Sequence, residues 1–168
     1  MPESSGSTKT YDDLRTLLTT AIGDDLIDFI VEREQLRVTY APAARVKVLQ
    51  TTKAAGFLFY AFCAGVDWIE ENRMEVLDHV YDINTRRRVT VRCSVDRATP
   101  RVDTAVNVYG GANWHEREAA ELFGIIFTGH PSPYRLLLPD FFEGFPMRKD
   151  YVMEARQAKP WPGESFSG

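Results

Sequence analysis

The chain has 168 residues, of which 44% are hydrophobic and 12% aromatic, and 24 acids against 20 bases give a formal charge of -4. This is the composition of one folded domain, large enough to bury roughly 70% of its unfolded surface, and it excludes a disordered tail. The net negative charge, without a basic stripe, disfavours nonspecific nucleic-acid binding.

The first ten residues, MPESSGSTKT, are polar, lack the apolar core of a secretion signal and read as a flexible leader, 1–10. A first helix is expected after Asp12-Asp13, acids that favour a helix start, with Leu14, Leu17, Leu18 and Ile22 at helical spacing. Leu36, Val38 and Tyr40 alternate with Arg37 and Thr39, the period of a half-buried strand. Leu26 to Val31 is predicted to pair with it across a turn at 32–35. Pro42 stands where a second helix begins; Ala43, Val46, Leu49 and Lys53 come after it at helical intervals until Gly56.

Residues 57–64, FLFYAFCA, are apolar at nearly every position and read as a central strand covered on both faces, a buried helical segment being the alternative. Met74 to Ile83 and Arg88 to Val95 form the next pair, with Val89, Val91, Cys93 and Val95 inward and a turn at Asn84-Thr85. Pro100 closes the sheet region, and Asp103 or Thr104 can cap the next helical stretch. Ala105, Val108, Ala112, Glu116 and Ala119 have helical spacing, but Gly110-Gly111 weakens a continuous helix by about 1 kcal/mol per glycine. Two short helices or one kinked helix both fit.

After Gly129 the organisation changes. Pro131, Pro133, Pro139, Pro146, Pro160 and Pro162 exclude a long helix or an internal strand. Yet this stretch carries Leu136, Leu137, Leu138, Phe141, Phe142, Phe145, Tyr151 and Trp161. Residues 11–128 therefore read as the domain and 129–168 as an arm. So apolar an arm folds back on its domain or lies in a groove of another protein, and the domain is too small to bury it all. An obligate partner is inferred. No apolar run approaches the ~20 residues that cross a bilayer, so membrane attachment would run through partners.

Chemistry within the chain finds little support. Cys63 and Cys93 show no CxxC spacing, cannot alone supply the about four thiolates of an iron-sulfur cluster, and read as reduced, buried thiols in a cytoplasmic compartment. His115-Glu116 opens like a zinc-protease helix, but Ala119 stands where the second histidine belongs. His115, Glu118 and His130 lack a fourth metal ligand. Glu118 shares a helical face with Glu121, as does Arg117, which allows charge compensation. No nucleophile turn or phosphate loop occurs, so no catalytic set is assembled. Glu116-Arg117-Glu118 reads as an ion-pair junction between the last helix and the arm or a partner; a solvated helix face is the plainer alternative. Arg135, Arg148, Lys149 and Asp150 read as polar anchors along the arm or as surface charge, and His130 before Pro131 as a turn stiffener.

From Trp114 to Tyr151 the chain runs WHEREAAELFGIIFTGHPSPYRLLLPDFFEGFPMRKDY. Glu116-Arg117-Glu118, Leu122-Phe123-Gly124-Ile125, Phe127 to Pro131, Leu136 to Leu138 and Gly144 to Tyr151 make this last third resemble the C subunit of the proton-pumping NADH-quinone oxidoreductases, respiratory complex I. The resemblance implies an α+β domain, a small mixed or antiparallel sheet with helices packed on it, followed by an extended Pro-rich C-terminal arm. It implies a cofactor-free structural subunit of the peripheral arm, at the cytoplasmic face of a bacterial membrane. Its partners would be chiefly the large subunit that shapes the quinone site and the adjacent iron-sulfur subunits. NADH, FMN, iron-sulfur clusters and quinone would belong to those partners. Carried over by motif, the subunit-interface residues would be Glu116, Arg117, Glu118, Gly129, His130, Pro131, Arg135, Arg148, Lys149 and Asp150. The chain departs from the family at Ala119-Ala120 and at Ser132-Pro133-Tyr134, where individual contacts do not transfer. Alternative readings are the equivalent subunit of a membrane-bound [NiFe] hydrogenase or a ferredoxin- or F420H2-linked complex, and, more remotely, a free-standing adaptor.

Overall fold

Period-two alternation builds the sheet that organises this protein. The computed structural model describes residues 5–32 and 35–153; Pro160, Trp161, Pro162 and the first four residues of the expected leader lie outside them. β1 (Leu26–Glu32) and β2 (Gln35–Tyr40) form the expected antiparallel hairpin. β3 (Phe59–Trp68), β4 (Arg73–Asp82) and β5 (Arg87–Asp96) form a meander, and β2 joins it by pairing parallel to β5. The order is β1-β2-β5-β4-β3, a mixed sheet in an α+β fold. Leu36, Val38, Tyr40, Val89, Val91 and Cys93 all point to one fully buried face, as their alternation requires.

Helices cover that face. α1 (Ser5–Ile22) buries Tyr11, Leu14, Leu18 and Ile22 in a single stripe, while Leu17, one residue off it, is half exposed. The helix begins at Ser5, within the stretch read as a leader. α2 (Arg45–Ala54) comes after a turn of 3-10 helix at Pro42–Ala44 and buries Arg45, Val48, Leu49 and Thr52. The expected face through Ala43 and Val46 is therefore rotated, since an arginine takes a core position.

Two further expectations change. Residues 57–64 do not form a central strand: β3 is the sheet edge, with Phe59 and Phe62 exposed on its outward face. Nor does Pro100 end strand structure, because β6 (Arg101–Asp103) pairs parallel with β7 (Ile126–Thr128) in a second, two-stranded sheet. Between them α3 (Ala112–Phe123) starts just past Gly110-Gly111, so the glycines lie outside the helix rather than kinking it. α3 crosses β3 closely at Gly65, where an added Cβ would stand 2.8 Å from Phe123.

A buried ionic knot fixes these layers. The Arg45 guanidinium donates from Nε and Nη2 to the two oxygens of Asp78 on β4, at 2.9 and 2.6 Å, and from Nη1 to Glu116 on α3 at 2.9 Å. All three side chains are fully enclosed. Asp78 also accepts from the Tyr60 hydroxyl, and Glu116 from the Thr104 hydroxyl and the Ala105 amide. Every acid oxygen is thus engaged, the condition under which buried charge is tolerated. Burial alone would lower the basicity of Arg45, but Asp78 beside it raises it well above the ordinary value. Arg45→Met should cost about 3–5 kcal/mol in urea unfolding, because it strands two buried carboxylates. A loss below about 1 kcal/mol would show that the knot does not hold the layers.

Candidate functional site

Successive residues on a helix point about 100° apart, so the three charges of Glu116-Arg117-Glu118 cannot share one neighbour. Glu116 points into the knot. Its side chain is fully enclosed by its own domain, bonded to Arg45, Thr104 and the Ala105 amide, and not at the surface as the interface expectation for this residue requires. Arg117 turns toward the chain beyond β7, donating from Nε to the Tyr134 carbonyl and from Nη2 to the Arg135 carbonyl, both at 2.8 Å. Its partners are neutral carbonyls, so no acid would be orphaned by its removal. Glu118 faces β3 and is 45% exposed, with His115 Nδ1 at 3.9 Å.

One turn later Glu121 draws the same segment in. Its carboxylate accepts the amides of Leu136, Leu137 and Leu138 at 2.9, 2.7 and 3.3 Å. Charge-assisted bonds of this kind are about twice as strong as neutral ones. Gly129, with φ of 78°, makes the turn out of β7 that an L side chain rarely adopts. His130 then tucks its ring inward. Nδ1 accepts the Ser132 amide at 3.0 Å, which leaves the proton on Nε2 to face the Asn113 carbonyl at 3.2 Å. Its expected role as a turn stiffener matches this geometry, and the exposed Pro131 comes next. Arg135 bonds the Pro139 carbonyl at 2.7 Å. A cavity of ≈ 300 Å³ remains between α3 and the segment, lined by Arg117, Ala120, Ile126, Tyr134 and Phe145 among others.

The second motif, Gly144 to Tyr151, lands on the far end of β3. The Lys149 amide bonds Asp67 at 2.7 Å, Arg97 holds Asp67 at 2.7 Å and Asp150 at 2.9 Å, and Arg148 reaches the Arg97 carbonyl at 2.6 Å. Arg148, Lys149 and Asp150 thus meet at one junction on their own domain, Lys149 through its backbone. The Arg97 hydrogen bond, aided by the Lys149 amide and opposed by burial, holds the Asp67 carboxyl below the usual range.

Much of what these anchors leave outside is apolar, although Asp140, Glu143 and Lys149 are exposed beside it. Tyr134, Leu137 and Phe141 are 75%, 61% and 85% exposed, and Trp114, Met147, Val152 and Met153 also face outward. Residues 129–153 contain no helix or strand, so anchors rather than a backbone ladder set their course. The sequence reading missed Arg45, Asp67, Asp78 and Arg97. Asp78 had a signal: it stands among Met74, Val76 and Val80 on the inward side of a strand and demands a buried cation. The thiols are chemically quiet; burial pushes Cys93 to about 12, and Cys63 is raised by burial and by Asp78. His115 and His130 line different cavities, so the loose His115, Glu118 and His130 set is not brought together.

Residues 38–157 match the model of the family described as respiratory-chain NADH dehydrogenase, 30 Kd subunit. The chain is 36% identical over 144 residues to the C subunit of the NADH-quinone oxidoreductase of Roseiflexus sp. (strain RS-1), covering 83% of each. It is 33% identical over 155 residues to that of Methylobacterium sp. (strain 4-46), covering 90% of this chain and 72% of the relative. Among solved structures, the trypsin-resistant fragment (1-134) of Nqo5 superposes with a TM-score of 0.61 at 28% identity, over 71% of this chain and 98% of that one. The membrane-bound sulfane sulfur reductase, an archaeal respiratory membrane complex, includes a chain that matches with a TM-score of 0.76 at 22% identity over 87% of each, a likeness of fold alone.

The junction at Asp67 should be acid-labile. A carboxyl whose folded pKa lies below its unfolded value, about 3.9, contributes stability that is complete above that value and lost as pH falls through the folded one. The Lys149 amide resonance should therefore hold steady down to about pH 4 and then shift as Asp67 protonates. In Asp67→Asn that acid-side shift should vanish; its persistence would assign the titration to another group.

Proposed function

The chain belongs to the family of the 30 kDa subunit of respiratory-chain NADH dehydrogenase, and on that premise we propose that it is a structural, cofactor-free subunit of a proton-pumping NADH-quinone oxidoreductase. In this reading it sits in the peripheral arm, at the cytoplasmic face of the membrane. It packs against the large subunit that shapes the quinone site and supports the neighbouring iron-sulfur subunits, which carry the electrons. The supporting observation is the display of Tyr134, Leu137 and Phe141: polar anchors fix the backbone from inside while the large apolar side chains face out. A chain meant to stand alone gains nothing from holding such groups in water, whereas a docking surface needs them presented in fixed geometry. Arg117, Glu118, Gly129, His130, Pro131, Arg135, Arg148, Lys149 and Asp150 contribute in two ways. Gly129, His130 and the Arg148 to Asp150 junction shape the segment, Arg117, Pro131 and Arg135 lie at or near its accessible rim, and Glu118 stands apart from it on the side of α3 that faces β3.

The test is to tag the chain in its own cells, solubilise the membranes mildly and identify what co-purifies by mass spectrometry. Flavin, iron-sulfur and membrane subunits of an NADH dehydrogenase are the expected partners. Nickel in the eluate would move the assignment to a membrane-bound hydrogenase, and recovery of the chain alone would sink the subunit reading. Leu137→Asn with Phe141→Asn should cut partner recovery about tenfold or more. The same changes should alter unfolding of the isolated chain by no more than about 0.5 kcal/mol. Equal damage to the isolated chain would mean that these side chains belong to its own core.

A further inference from the structure

β3 is the outer strand of the five-stranded sheet, and among the described residues β4 is the one strand that pairs with it. No turn or loop backbone bond among the described residues engages residues 61–67 either. Antiparallel bonding alternates, so every second residue of this run directs its N–H and C=O to the open side. Proteins guard such edges with lysine, proline, bulges or inward-pointing charge. Residues 62–68, FCAGVDW, hold no lysine, arginine or proline, and their one charge, Asp67, is engaged by Arg97 and the Lys149 amide. The bulge lies before this run, between Tyr60 and Phe62, and leaves Phe62 to Val66 regular, with Phe62, Ala64 and Val66 keeping exposed surface while Cys63 and Gly65 are buried. The opposite edge strand, β1, differs in carrying Asp28 and Glu32.

A groove of ≈ 370 Å³ runs beside the open stretch, between β3 and α3, with Phe62, Ala64, Leu122, Phe123 and Met147 among its lining residues. Glu118 is its one carboxylate, and no lysine or arginine lines it. The site thus combines three recognition elements: a free backbone ladder, an apolar trough at strand spacing, and a half-exposed negative charge at its wall. A second copy of this chain would answer the first two but not the third, since its own 62–68 run brings no cation to Glu118.

Resting on the subunit role argued above, we propose that an extended segment of a partner subunit adds to the Phe62–Val66 edge as a sixth strand. The segment sets apolar side chains at alternate positions into the trough and a lysine or arginine against Glu118. About five residues, an ordinary strand length, fill the open run. This gives Glu118 a role separate from the Arg117 and Glu121 side of the helix.

The experiment is amide hydrogen exchange, read by mass spectrometry on the 59–68 peptide, in the free chain and in the complex purified through a tag on this chain. The outward half of those amides should exchange about tenfold or more slowly in the complex. Glu118→Lys and Phe62→Lys should each lower partner recovery about tenfold while β4 and β5 exchange unchanged in the free chain. Ile27→Lys, on the opposite edge, should leave recovery intact. Equal exchange of 59–68 in free and assembled chain would overturn strand addition and leave the subunit role standing. Failure to recover any partner with the unaltered chain would overturn the subunit role and this inference together. A dimer of the free chain with 59–68 protected would assign the edge to a second copy, overturning the partner strand.

Discussion

One guanidinium group organises the interior. Arg45 enters the core on α2 and meets acids from β4 and α3 that lie 33 and 71 residues away in sequence. Its neighbours there, the Tyr60 hydroxyl, the Thr104 hydroxyl and the Ala105 amide, complete the bonding of those acids. Apolar packing tolerates sliding of one layer over another, but a planar donor with fixed partners does not. The knot therefore sets the rotation of α3 about its axis. That rotation sends Arg117 and Glu121 to the segment after β7 and Glu118 to the β3 edge. The outer surface of the helix is specified from the inside.

The same economy of geometry appears along residues 129–153. Glu121 takes three successive amides, Arg117 two successive carbonyls, and Asp67 one amide more, so side chains on the domain replace the ladder partners a strand would have had. An irregular backbone with many prolines is held in one course without entering a sheet. Tyr134, Leu137 and Phe141 are consequently left in view of solvent, while Phe145 packs against Gly124 and Phe142 stacks on Tyr151.

Much of this was legible in the residues, and the failures have physical causes. Alternation at Leu36 to Tyr40 and Val89 to Val95 marked the strands and their buried face, and Pro42 and Gly56 bounded α2. The motif run at 114–151 marked the family. Strand 57–64 misled because uniform apolarity signals cover on both faces, whereas the outward Phe59 and Phe62 lie open at the edge. Ala43 and Val46 suggested the wrong face of α2 because a buried arginine looks like a surface residue until its acids are known. Glu116 was read with its sequence neighbours, although its partners come from elsewhere in the chain. β6 and β7 were invisible: three-residue strands carry too little periodicity to be seen.

The parallel pairing of β2 with β5 imposes an order of events on a chain made from its amino end. Thr39 and Arg92 are partners across this seam yet 53 residues apart, so the first hairpin emerges from the ribosome long before the strand that receives it. Until β5 is made, Leu36, Val38 and Tyr40 have α1 and α2 as their available cover. In the folded chain these two helices touch each other, and their contact uses no residue beyond α2. The closure of the sheet waits on the middle of the molecule, and the charge that Arg45 brings into the core waits longer still, for Glu116 on α3.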